Sequence, residues 1–226
     1  MRYPIAFAAA LIAAPAFAAD ASHPLVIELF QSQGCSSCPP ANASLVEFAK
    51  RPDVLALNFA VDYWDRLGWK DTFASPAYTA RQYAYSRSTG DGVYTPEVVV
   101  NGRATGVGVT VGEMEALARQ ADRGAGGPSL RFEGQQVVVG QGTAPASGAE
   151  VWLALYDPKV VEVPVARGEN AGHTLPHTHV VHGLVKLGAW TGAEARYALP
   201  ANASGYSRAV IVQAAGVGPV IAAGRG

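Results

Sequence analysis

Cysteine is nearly absent from this chain, whose 226 residues hold only Cys35 and Cys38. That excludes a disulfide-rich secreted scaffold, which relies on several bridges in place of a large core. Charge is sparse too, at 15% of residues with a formal net charge of -1. With no basic excess to hold a phosphate backbone, nucleic acid is excluded as a partner. There is no amphipathic helix with a cationic face for a lipid surface. Beyond Ala18 no apolar run approaches the ~20 uninterrupted residues of a membrane span, so no span is expected in the mature chain. What is abundant is hydrophobic material, 49% of the chain, ample for a globular core.

Residues 1–18 read as a signal peptide. They carry one positive charge at Arg2, an apolar stretch from Ile5 to Ala14, and Ala16-Phe17-Ala18 as a small-x-small cleavage signature. A mature chain starting near Ala19 would be soluble and periplasmic or secreted. A single-pass N-terminal anchor is the competing reading, opposed by the short apolar core and by Pro15. Export matters for the cysteines, because disulfides persist outside the cytosol.

The two cysteines stand in Cys35-Ser36-Ser37-Cys38, after an apolar strand-like run. A disulfide closing so short a loop stabilises a fold by only roughly 2 kcal/mol, against about 3 for a loop near fifteen residues. The spacing therefore points to a dithiol/disulfide couple or a soft metal clamp rather than to a staple.

Leu25 to Phe30 reads as a strand buried on both faces. Pro39-Pro40 opens a helix over Ala41 to Lys50, and Val54 to Asp62 reads as a second buried strand, parallel to the first through a right-handed crossover. A helix is expected between Pro76 and Arg87, within an aromatic-rich excursion that carries Tyr63, Trp64, Trp69, Phe73, Tyr78, Tyr83 and Tyr85. Pro96 to Gly102 gives a third strand ending in the hairpin signal Asn101-Gly102, with Ala104 to Val109 as the return strand. Thr110 to Glu113 matches a capping box for a last helix with Met114, Leu117, Ala118 and Ala121 on one face. Gly124 to Pro128 reads as a linker. Beyond it, short strands separated by Gly, Pro and Asn turns suggest a β-sandwich.

The order βαβ, inserted helix, ββα, with Cys-x-x-Cys after the first strand and Thr95-Pro96 before the third, resembles the thioredoxin fold over about Pro24 to Arg123. The Thr-Pro before Val-Val-x-Asn-Gly also looks like the glutaredoxin pattern. More closely, "ELFQSQGCSSCPPAN", "VDYWDRLGWKD" and "YTPEVVVNG" look like an exported bacterial thioredoxin-like family catalogued as a domain of unknown function, a likeness expected to extend to "GENAGHT". The expected fold is thus an α/β thioredoxin-like domain over 19–124, followed by an all-β sandwich-like domain over 128–226. The resemblance implies a cis Pro96 facing the cysteines, with the Thr95 backbone holding an extended substrate peptide. The chain departs from thioredoxin itself at Ser36-Ser37, at the double proline, and in having no Trp before Cys35, so no redox potential carries over.

In this chemistry Cys35 is the nucleophile and Cys38 resolves the mixed disulfide. Ser36 and Ser37 donate to sulfur or cap the helix, and Trp64 joins Thr95 and Pro96 in holding substrate. Pro39 and Pro40 remove two donors near the thiolate. Glu28, seven residues before Cys35, is either a buried acid that takes a proton from Cys38 or the partner of a cation such as Arg81. Asp62 and Asp65 either line the site or cap a turn. His177 and His179 would share one face of a strand, with His173 and His182 nearby. No acidic or cysteine motif of metal spacing accompanies them.

The expected function is thiol-disulfide exchange with protein or small-molecule thiols, with a membrane redox partner among the candidates and no cofactor. The rival is a non-catalytic binding module or copper chaperone.

Overall fold

The computed structural model describes residues 19–202 and 204–226, so the signal-peptide reading lies outside the described residues. Strand β1 (Leu25–Gln31), helix α1 (Pro39–Phe48) and strand β2 (Val54–Ala60) form the expected crossover unit. The strands pair in parallel from Leu25 opposite Val54 to Gln31 opposite Ala60. Both strands are wholly buried because they are covered on two faces. Leu25, Ile27 and Leu29 face α1 and helix α3 (Val111–Gln120), whereas Val26 and Phe30 join the core under helix α2 (Pro76–Thr89). There Phe30 stacks on Phe59 at 5.3 Å, and Tyr78 meets Phe59 edge-on at 5.3 Å.

Local signals explain the helix ends. Ser75 caps α2 by accepting from the Ala77 amide, and Thr110 caps α3 by accepting from Glu113. The Glu113 carboxylate reaches back to the Val109 amide. Between strands β3 (Glu97–Val100) and β4 (Ala104–Gly106), Asn101 and Gly102 sit at φ 48° and 60°, the pair of left-handed residues that a tight hairpin turn needs. The return strand is shorter than its pattern suggested, ending at Gly106 rather than Val109.

The expected succession of a thioredoxin-like α/β domain and an all-β sandwich is overturned. Strands β7 (Ala149–Asp157), β10 (Val180–Trp190), β12 (Ser207–Ala214) and β13 (Val220–Arg225) extend the first half's own sheet. Its eight-stranded mixed order is β13-β12-β7-β10-β2-β1-β3-β4. The reason is the free edge of β2. The first half pairs only its other side, and β10 closes the open side where Val180 aligns with Asn58 and the Asn58 amide donates to His179 O. The core under α2 consequently runs across both halves, from Leu55 and Phe59 to Tyr156, Val181, Ile211 and Val220. At Gly127 the chain passes so close to β13 that an added Cβ would meet Ile221 O at 2.3 Å.

Two small sheets complete the molecule. Strands β5 (Leu130–Glu133), β6 (Gln136–Val139) and β11 (Ala195–Ala198) cover Val151, Leu153, Val210 and Val212. Strands β8 (Val161–Pro164) and β9 (Thr174–His177) form a two-stranded ribbon that contacts α1.

Candidate dithiol site

The chain leaves β1 at Gln31 and turns twice before α1. The Cys35 amide donates to Ser32 O, and the Cys38 amide donates to Cys35 O, both at 3.1 Å. Cys38 occupies the N-cap position of α1 with helical angles and makes no side-chain cap; prolines follow it at Pro39 and Pro40. With two first-turn amides missing, the donors around Cys35 come largely from side chains. Thr95 Oγ1 donates to Cys35 Sγ at 3.3 Å, and Ser37 Oγ lies 3.2 Å from the same sulfur. Trp64 Nε1 donates to Thr95 Oγ1 at 2.8 Å, which fills an acceptor position of that hydroxyl and turns its proton toward sulfur. The Thr95–Pro96 peptide bond beside them is cis.

Both cysteines are free, and both are completely buried. Their acidities are split. The Cys38 thiol, then the Ser37 and Thr95 hydroxyls, hold the Cys35 thiol down to about 6 against the opposing effect of burial. Burial, reinforced by Cys35, pushes the Cys38 thiol well above the usual range. The arrangement presents one thiolate and one thiol at neutral pH.

The structure thus brings Cys35, Cys38, Ser37, Thr95, Pro96 and Trp64 together. Ser36 faces away from the sulfur and bonds elsewhere. Glu28 is engaged by Arg81, whose Nε and Nη2 donate to its two oxygens at 2.5 and 2.8 Å, and by the Tyr85 hydroxyl at 2.6 Å. None of its hydrogen bonds goes to a cysteine, and the pairing with Arg81 accounts for its burial. Asp62 accepts from the Thr79 hydroxyl, and Asp65 accepts from the Asp71 amide, so both tie down the turns.

The histidines do not share a strand face. His177 ends β9, where its Nδ1 lies 3.1 Å from Leu175 O, while His179 sits at φ 52° between strands and stacks on Tyr156. His182 stacks on Tyr206 at 4.3 Å, and His173 is exposed. Among the described residues no three His, Cys, Asp or Glu side chains converge as a metal set.

Two residues that sequence reasoning passed over lie on the loop joining β8 to β9. Glu169 Oε2 accepts from the Ser36 amide at 3.0 Å and from Ser36 Oγ at 2.7 Å. Asn170 Nδ2 donates to Gln33 O and Cys35 O, each at 2.9 Å. Both lie in the "GENAGHT" stretch of the family likeness, where neither was singled out as a site residue. Asp71 was also missed; it accepts from the Gln33 and Phe73 amides, and burial raises its carboxyl to about 6.

Fold and site together define a class: a mixed-sheet α/β protein whose first strand-to-helix turn holds a buried free dithiol against a cis Thr-Pro bond. The chain belongs to the family described as "Protein of unknown function (DUF1223)", whose model matches residues 26–213. It is similar to the X-ray crystal structure of protein AGR_C_4864 from Agrobacterium tumefaciens, with 33% identity and a TM-score of 0.74 over 92% of this chain and 94% of that one. No curated protein matches.

Proposed function

We propose that the protein is an exported thiol-disulfide oxidoreductase acting on protein or small-molecule thiols. The observation that carries this reading is the unequal surroundings of the two sulfurs within one free Cys-x-x-Cys: Thr95 Oγ1 donates to Cys35 Sγ at 3.3 Å and Ser37 Oγ lies 3.2 Å from it beside a cis Thr95–Pro96 bond, which favours its thiolate, while burial favours the thiol of Cys38. A structural pair has no need of that asymmetry, whereas exchange does. The Cys35 thiolate attacks one sulfur of a partner disulfide, forming a mixed disulfide and expelling the other partner sulfur as a thiolate. Cys38 then loses its proton to that thiolate or to solvent and attacks Cys35 Sγ, releasing the second partner sulfur. The partner gains two electrons and two protons, one originating on Cys38 and one taken from solvent because Cys35 enters as the anion, and Cys35–Cys38 becomes the disulfide. The reverse sequence oxidises a partner dithiol. Thr95 and Ser37 stabilise sulfur at the stage where Cys35 is an anion.

The test is disulfide exchange with insulin or reduced ribonuclease. Wild type should turn over, Cys35→Ser should be inactive, and Cys38→Ser should accumulate the mixed disulfide. A second reading, a non-catalytic binding module, draws on the complete burial of both cysteines. It requires equally poor exchange by all three proteins.

A further inference from the structure

A thiolate poised for attack has no use while nothing can reach it, and Cys35 has no exposed surface. The segment tied across its turn is 165–173, between β8 and β9. Its tip meets the turn through four hydrogen bonds: Ser36 N–H and Oγ to Glu169, and Asn170 to Gln33 O and Cys35 O. Gly168 and Gly172 flank the tip at φ 80° and 83°, left-handed angles that glycine adopts without penalty. The base is closed by Val165 N–H to His173 O and Gly172 N–H to Val165 O. Among the described residues the strands that carry it pair only with each other, so the ribbon is held in place by its packing against α1 rather than by a larger sheet.

Three of the four groups that the tip occupies are main-chain groups, the carbonyls Gln33 O and Cys35 O and the amide Ser36 N–H; the fourth is the Ser36 hydroxyl. An extended polypeptide offers the same complement from its own backbone. Asn170 supplies the N–H role with its side-chain amide, and Glu169 supplies the carbonyl role with its carboxylate. We propose that 165–173 is a strap that fills the docking edge of the dithiol site and keeps Cys35 closed, and that an extended segment of a protein partner displaces it. This rests on the oxidoreductase reading for the identity of the partner, though closure of the thiol does not depend on turnover.

The experiment is alkylation of the full mature chain by iodoacetamide at pH 8, two units above the value for Cys35, where removing a nearby charge cannot raise the thiolate fraction further. Glu169→Ala, at an exposed position, should speed alkylation of Cys35 about tenfold, because both bonds to Ser36 are lost. Glu169→Gln keeps an oxygen able to accept both bonds but not the charge that strengthens them, and should fall between. Equal rates in the three proteins, or thiols equally closed in all of them, would overturn the strap.

The partner half is read by hydrogen exchange on Cys38→Ser protein carrying a cysteine-containing decapeptide on Cys35. The Gly172 and His173 amides should lose protection; retained protection refutes displacement. A peptide that never loads sinks the oxidoreductase reading, while the alkylation series still judges closure.

Discussion

Glu28 and Glu97 lie on adjacent strands, 1% and 0% exposed, and each is served by neighbouring residues of α2. Their surroundings differ. Glu28 meets the guanidinium of Arg81 on both oxygens, with Tyr85 donating as well. Gln213 closes that knot from β12, accepting from Arg81 at 3.0 Å and donating to Tyr85 at 2.9 Å. Glu97, next to cis Pro96, receives only the neutral amide of Gln82 at 2.8 Å, and its other oxygen finds no partner. Burial accordingly raises the Glu97 carboxyl to about 7. A buried charge answered by an opposite charge becomes a fixed structural knot, whereas one answered by a neutral amide stays poised to titrate. Glu97 directly follows the cis Thr95–Pro96 bond, and Thr95 donates to Cys35 Sγ.

The contrast can be broken at four places. Arg81→Met should have the largest effect, about 3–5 kcal/mol in urea denaturation, because it strands Glu28 in the core. A loss below about 1 kcal/mol would mean that the knot is not a closed ion pair. Glu97→Gln acts in the other direction. Between the ordinary carboxyl value of 4.5 and about 7 the folded chain holds a proton that the unfolded chain has released, so wild-type stability declines as pH rises through that window. The variant should lose the part of that decline owed to Glu97, keeping the part that Asp71 supplies below about pH 6, and be more stable at pH 8 by on the order of 2 kcal/mol. Parallel pH curves would remove Glu97 as the titrating group.

Thr95→Val removes a hydroxyl donor from Cys35 and should move the midpoint of its thiolate absorbance up from about 6 by about one pH unit. Ser37→Ala should give the smallest change, about half a pH unit or less in the same titration, since the Ser37 hydroxyl is also within donating distance of Thr95 O at 3.3 Å and its one proton serves either acceptor. A Ser37 effect larger than that of Thr95 would reverse the order of importance within the thiol corner.

What the sequence revealed was local. The crossover strands, the Pro76 helix, the Asn101-Gly102 turn and the Thr110 cap each follow from a few adjacent residues, and each is present. Sheet membership was hidden because β2 and β10 meet through backbone groups, and alternation in β7 says which face is buried but not which strand lies alongside. In the site, Cys35 and Cys38 stood out by their spacing, whereas Thr95 and Pro96 entered through the resemblance to the thioredoxin and glutaredoxin patterns. Glu28 stayed open between two roles because an acid in a buried strand reads alike whether it serves a thiol or an arginine, and Arg81 is the partner found. Glu169 lies 133 residues from Ser36, and no local pattern encodes a contact of that span.

The seam between β2 and β10 carries one further consequence. A fragment stopped at Gly124 would bare the open edge of a wholly buried central strand, and a fragment begun at Pro128 would lose the surface on which Tyr156 and Val181 lie. Made separately, the two pieces should clump; mixed as they refold, they should rescue one another, as halves of a single torn sheet.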